Sequence, residues 1–368
     1  MIVGFLSASG GVGKSAVSAT AAIREGALRT SREMRPLAFL DADFTSPRSS
    51  SLLMGRFPSE LMTFEDFLLG YGRSVFYPPN PKLFESRTEG AGELRLMVCP
   101  SACKHVGRIS RMPVEELVLR LRDLYSMALE AAERVYVDFP PGNPVTANLA
   151  TALALTMDAY VMVLKPSSTL IRAAHSTHLT IQSLPNSPKL LAVVLNMWRE
   201  DTAIDEDSSM RWEDLVRRYF GVDPFIIPFD QEWERGMQRE AIPLLWYFYD
   251  TPANEAVVRL ADYIFEARVP HREVEAPLEL VARLREALLA GVREREVTER
   301  DLEKALRECG VKEDEIGEFL SSLGEEVEAS QIIKRFGPGV AASLLLKLGF
   351  SEEEVKKVLS KHSSLLAH

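Results

Sequence analysis

Through about residue 265 the chain alternates short apolar runs with amphipathic stretches. Residues 2–7, 37–40, 94–98, 135–137, 159–164, 190–195 and 225–227 read as strands, several of them near-continuous Val, Ile and Leu. Runs of that kind belong to strands buried on both faces. Helical spacing fills the intervals, most plainly over 114–133, where Leu117, Leu121, Leu124 and Ala128 share one face. The rhythm predicts an α/β fold, an open, mostly parallel twisted sheet with helices on both faces. Residues 75–92, rich in Pro, Gly and Asn, read as a long surface excursion. Residues 200–209 read as an acidic, solvated connection.

From Leu278 onward no β-like run appears. Four or five short amphipathic helices are expected instead, separated by Gly310, Gly324, Gly337, Gly339 and Gly349. Ser351 with Glu354 fits a capping box, and Thr298 before Asp301 is a looser version. The expected division is a sheet-containing domain over 1–268 and an all-helical domain over 269–368. No internal repeat of fixed period is present.

Composition narrows the class. Hydrophobic residues make up 46% and charged residues 26% of the 368, the balance of a soluble globular protein. No window approaches the roughly 20 uninterrupted apolar residues that span a bilayer. The first residues read as a strand, not a leader, because they lack a basic start. Only Cys99, Cys103 and Cys309 occur, too few for a disulfide framework, so a reducing, cytoplasmic setting is expected. A formal net charge of −10 argues against a general nucleic-acid binder.

The chemistry is concentrated at strand ends. Gly10-Gly11-Val12-Gly13-Lys14-Ser15 follows the first strand and opens a helix at Ala16. Glycines let a backbone curl around a phosphate, the Lys reaches the β- and γ-phosphates, and the Ser hydroxyl suits Mg2+. The helix N-terminus adds its own attraction for an anion. Ala8 stands where this loop pattern ordinarily begins with Gly. Asp41 and Asp43 end the second strand, and Asp138 ends another, followed by Pro140-Pro141-Gly142. Carboxylates at strand ends beside a Ser15 hydroxyl suit a hydrated Mg2+ and an attacking water.

Over about residues 1–265 the chain resembles the ParA/MinD group of deviant-Walker P-loop ATPases, which includes the Mrp-type iron–sulfur carriers. "DADFTSP" resembles the family's first switch and "VDFPPGNP" its second. "LRLMVCPSA", "AVVLNMW" and "IIPFDQEWERGMQREAIPLLWYF" resemble later family segments in order and spacing. The resemblance implies ATP and Mg2+ as cofactors. It implies that Gly10, Gly11, Val12, Gly13, Lys14, Ser15 and Ala16 hold phosphates, and that Ser15 ligates Mg2+ with Asp41 and Asp138 in support through water. Asp43 would orient the attacking water, Asn196 would bind adenine, and Pro228 and Phe229 would line the base site. It further implies a homodimer formed with ATP, with the C-terminal helices meeting a protein partner for positioning, assembly or delivery.

One departure bears on turnover. The family's signature Lys before the glycine pair is Ser9 here. In the family that Lys acts across the dimer, as an arginine finger does, and such a finger is worth roughly 10³–10⁵ in rate. Slow hydrolysis is therefore expected unless a cation such as Arg48 substitutes. A non-hydrolysing nucleotide-binding scaffold is the alternative. An Mrp-like metal carrier is a third reading, weakened because Cys99 and Cys103 are spaced C-x₃-C and read as a core thiol and an incidental one. His175 and His178 read as incidental surface residues, not metal ligands. The Arg clusters in "HVGRISRM" and "RWEDLVRR" read as solvated faces. The basic C-terminal stretch with Lys356, Lys357 and Lys361 lacks an aromatic anchor and reads as the last helix of the bundle, not a membrane-surface helix.

Overall fold

The structure, a computed structural model, describes residues 1–55, 61–72, 75–80, 94–143, 145–184, 186–205, 209–238 and 251–272, and Arg307 beyond them. Seven parallel strands form one sheet: β1 Ile2–Leu6, β2 Leu37–Asp41, β3 Leu96–Cys99, β4 Arg134–Asp138, β5 Ala159–Leu164, β6 Lys189–Trp198 and β7 Phe225–Pro228. Their spatial order is β3-β2-β4-β1-β5-β6-β7. All seven fall where the apolar runs place them, shifted by a few residues at most.

Two hydrophobic cores lie on opposite faces of the sheet. One is covered by α3 Phe64–Leu68, α5 Val114–Ala131, α6 Ala147–Thr156, α7 Ser168–Gln182 and α8 Trp212–Phe220. The other is covered by α1 Lys14–Ser31, α2 Arg48–Met54 and the helix Pro252–Glu266. Side chains alternate between them: Ile2 and Leu6 enter the first core, Val3 and Phe5 the second. Burial on both sides is why these strands carry no polar alternation. On α5, Leu117, Leu121, Leu124 and Ala128 are fully buried, as their spacing predicts. Short α4 Val106–Ile109 precedes α5, and α9 Gln231–Gln238 follows β7; Pro252–Glu266 is α10.

Three expectations are corrected. Residues 75–80 are not a surface excursion: Val75 is fully buried, and Tyr77 forms an antiparallel bridge with Val98 that covers part of the edge of β3. Residues 81–92 lie outside the described residues. The acidic segment after β6 is not simply solvated. Asp205 is buried, and the loop closes through an Ile204–Arg211 bridge and the Asp205 N–H donating to Met210 O at 2.8 Å. His175 and His178 are not incidental surface residues, because they pack into a half-buried aromatic cluster with Tyr160, Tyr219 and Phe220. The Tyr160 hydroxyl lies 2.6 Å from His178 Nδ1.

By compactness the chain divides into Met1–Glu294 and Arg295–His368. The boundary expected at 268/269, the C-terminal helices with their caps, and Cys309 involve residues largely outside the described ones. Among the described residues no helix is long and apolar enough to cross a membrane.

Candidate nucleotide site

The loop between β1 and α1 takes its shape from glycines at left-handed angles, Gly11 at φ 74° and Gly13 at φ 82°. At Gly13 a second constraint applies: a Cβ would sit 2.2 Å from Asn196 Nδ2. That amide donates to Val12 O at 2.8 Å, so β6 braces the loop from the side. Ala8 is buried and is not among the residues with positive φ, which is why this position accepts a methyl. Within the loop the Ser7 hydroxyl donates to Ser9 O at 2.9 Å and the Ser9 hydroxyl to Gly10 O at 3.1 Å. α1 begins with no side-chain cap and no acidic residue in its first turn. Its first N–H groups are thus left for an anion, at the positive end of an 18-residue helix.

The carboxylates meet this loop because β4 lies between β1 and β2. Asp138 is level with Asp41 on one side and Phe5 on the other. Lys14 Nζ donates to Asp138 Oδ1 at 2.5 Å, with both side chains buried. Asp138 Oδ2 is buried with no hydrogen-bond partner. Asp41 engages both its oxygens: Oδ1 accepts from the Asp43 N–H at 3.1 Å, and Oδ2 accepts from the N–H and hydroxyl of Ser50 at 2.7 and 2.6 Å. Asp43 Oδ1 accepts from the Thr45 hydroxyl at 2.7 Å and the Ser46 N–H at 3.0 Å, folding the loop after β2 back on itself.

The electrostatics follow from burial. Desolvation pushes the Asp41 carboxyl up to about 8, the charge on Asp138 adds to the rise, and the Ser50 bonds oppose it. Burial also raises Asp43, against the pull of Lys14. Asp43 and Asp138 share one buried lysine, while burial drives Asp41 beside them toward its uncharged form. Among the described residues no three His, Cys, Asp or Glu side chains converge as a metal cage. The arrangement instead fits Mg2+, which is ordinarily held by one or two protein ligands with waters and phosphates. Asp138 Oδ2, buried without a hydrogen-bond partner, is an unused acceptor at this end of the sheet. Ser15, in the first turn of α1, is half-buried beside Lys14. Arg48 opens α2, exposed and without an ion pair to any described residue.

Sequence reasoning missed the residues that hold the carboxylates in place. Ser50 Oγ accepts from the Ser101 N–H at 2.9 Å while it donates to Asp41, and the Ser101 hydroxyl donates to Asp41 O at 2.6 Å. Buried Glu65 accepts from the N–H groups of Ala102 and Lys104 at 2.9 and 3.1 Å and so fixes the turn after β3. Thr146 plays the same part for the loop after β4, donating its hydroxyl to Pro141 O at 2.6 Å. The only available signal was the Ser and Thr content of "TSPRSS" and "CPSA", which names no partners. Cys99 is fully buried in β3, whereas Cys103 is exposed with its Sγ 3.7 Å from Thr45 O.

Asn196 is buried at the end of β6, where a register shift between Leu195 and Trp198 marks a bulge. Met197 in that bulge has φ 57° and remains exposed. Pro228, half-buried, pairs with Trp198, and the Phe229 N–H donates to Trp198 O at 2.8 Å. Asp230 then caps α9, accepting from the Glu232 N–H at 2.8 Å. The structure thus gathers the loop, Lys14, Asp41, Asp43, Asp138 and Asn196 at one end of the sheet. Pro228 and Phe229 stand at the same end, one strand beyond Asn196. That end is where open α/β sheets bind ligands.

No protein-family model and no curated protein matches the chain. Solved structures do. MinD from Pyrococcus horikoshii OT3, complexed with Mg-ADP, is 17% identical with a TM-score of 0.54, over 72% of this chain and 96% of its own. A ParA family ATPase from Chlorobium tepidum TLS is 18% identical with a TM-score of 0.52, over 72% and 98%. The fold is that of the ParA/MinD-type P-loop ATPases. MinD from Aquifex aeolicus, in a MinC:MinD complex, shares it at 16% identity and a TM-score of 0.55, over 74% and 99%. These ATPases are spanned almost end to end, while about a quarter of this chain has no counterpart in them.

Proposed function

We propose that the chain is a cytosolic, Mg2+-dependent ATPase in which bound ATP promotes a homodimer and the helices beyond residue 268 carry that state to a protein partner. The observation behind it is buried Lys14 held on Asp138 at 2.5 Å, beside an orphan carboxylate oxygen and the uncapped start of α1. In this reading the N–H groups of Gly10–Ala16 and Lys14 bind the phosphates. Ser15 and the water network of Asp138 hold Mg2+, which supplies positive charge to the phosphate oxygens. Asp41 fixes the first switch through Ser50, and Asp43 orients the attacking water. Asn196, Pro228 and Phe229 receive the base. The Mg-ADP and MinC in the names of the MinD structures are consistent with this assignment.

A second reading is favoured by Ser9, which replaces the charged residue of the family pattern with a hydroxyl turned onto its own loop. On it the protein is a nucleotide-binding scaffold that turns over slowly or not at all. ATP binding and hydrolysis with Mg2+, measured on wild type, Lys14→Ala and Asp43→Ala, separate the two. Turnover lost in both variants establishes the ATPase. Binding that requires Lys14 without turnover establishes the scaffold, and absence of both overturns the nucleotide reading.

A further inference from the structure

The end of β6 carries a feature that phosphate chemistry does not use. Arg199 lies over the ring of Phe229, its guanidinium carbon 3.7 Å from the ring centroid. The residue is exposed and makes no ion pair with any described carboxylate, although Glu200 is next to it; Glu200 pairs with Arg211 instead. Other exposed arginines near this edge are neutralised, Arg217 by Asp214 and Asp223 and Arg211 by Glu213. The stack is anchored by backbone. Trp198 is level with Pro228, and the Phe229 N–H donates to Trp198 O at 2.8 Å, so Arg199 and Phe229 are neighbours across the last rung of the ladder.

The bulge just before it connects this stack to the loop. Met197 adopts φ 57°, unusual for a side chain of its size, and its Cε lies 3.5 Å from where a Cβ on Gly13 would be. Bulges of this kind re-aim side chains beside active sites. A row of groups therefore runs outward from the phosphate loop along the strand ends: Asn196, the exposed thioether of Met197, then the Arg199–Phe229 stack. Beyond Asn196 its exposed parts are Met197 and the flat guanidinium of Arg199 lying on Phe229.

We propose that Arg199 is the base-stacking residue of the nucleotide site, its guanidinium plane, backed by Phe229, receiving the face of a purine. The proposal rests on the nucleotide reading above. A guanidinium is planar and weakly hydrated and lies flat against π-systems, whereas an ammonium is a strongly hydrated point charge with no plane to stack. Stacking of this type favours bases of any identity, so Arg199 contributes affinity and not discrimination between purines.

The test is equilibrium binding of Mg-ATP, Mg-GTP and inorganic tripolyphosphate to the full chain, in wild type, Arg199→Ala and Arg199→Lys. Stacking predicts that both variants weaken ATP and GTP alike, by about 5- to 100-fold, while tripolyphosphate binding stays unchanged. Equal weakening of tripolyphosphate would mean a general electrostatic or folding role and overturns the proposal. So does retention of wild-type ATP affinity in Arg199→Lys, which would make charge and not planarity the active property. Wild type that binds tripolyphosphate and ATP with no effect of Arg199 overturns the stack alone. Wild type that binds neither overturns the nucleotide reading and the stack with it.

Discussion

Gly13 shows how tightly one position can be specified. Its φ of 82° disfavours any side chain, and the Asn196 amide occupies the space a Cβ needs. A left-handed angle alone costs an L-residue roughly 1–2 kcal/mol, and displacing the amide would break its bond to Val12 O. Gly13→Ala is expected to lower Tm by about 2–8 °C in thermal unfolding and to abolish ATP binding in calorimetry. Ala8 is the counter-case, a departure from the usual pattern at a position that is not among those with positive φ and whose methyl is buried. Both positions were visible in the sequence as part of a glycine-rich loop. What was not visible was the pairing of Lys14 with Asp138, 124 residues apart, or Asn196 as the brace of the loop.

Among the elements, the loop after β2 is held by a short relay: Asp41 at the end of β2, Ser50 in α2 and Ser101 after β3. Removing the Ser50 hydroxyl leaves a buried carboxylate oxygen and the Ser101 N–H each one bond short. Ser50→Ala should therefore destabilise the fold by about 1–3 kcal/mol, read as a lower midpoint in urea with an unchanged m-value. The packing of α7 on α8 gives a pH dependence. Burial lowers the pKa of both His175 and His178, and each also faces the aromatic cluster of Tyr160, Tyr219 and Phe220. Between those lowered values and the ordinary His value near 6.5 the unfolded chain binds more protons than the folded one. Their contribution to stability is thus full above pH 6.5 and declines as pH falls below it. Tm scans from pH 7.5 to 5.5 are expected to fall more steeply for wild type than for the His175→Gln, His178→Gln double variant.

At the scale of the whole described domain, the sheet end opposite the site is tied by a buried ionic cluster. Glu25 in α1 accepts from Arg29 at 2.7 Å and from Arg134 at 3.2 Å, and from the Tyr136 hydroxyl. Arg134 goes on to donate to Ile264 O at 2.8 Å, joining α1, β4 and α10. Nearby, buried Asp158 accepts from the Ile2 and Arg272 N–H groups at 2.7 and 2.8 Å. Breaking a buried pair leaves uncompensated charge, at a cost of about 3–5 kcal/mol. Glu25→Gln is expected to reduce stability by that order in chemical unfolding, with ATP affinity in the folded fraction unaffected because the cluster lies at the far end of the sheet.

The sequence by itself determined the strands, their parallel character and the phosphate loop. Each is written in local pattern: apolar runs for strands buried on both faces, glycines for φ above zero, carboxylates at strand ends. Strand order, and with it the meeting of Asp138 with both Lys14 and Asp41, was decided only by the tertiary structure. Placing β4 between β1 and β2 depends on how all the crossovers pack at once, and no local window contains that. The same holds for Val75 and Tyr77, whose Pro-rich surroundings read as surface until the edge of β3 offered them a partner. It holds too for His175 and His178, which become a half-buried pair only because α8 lies against α7. Periodicity fixes which face of an element is apolar; what that face meets is a property of the assembled chain.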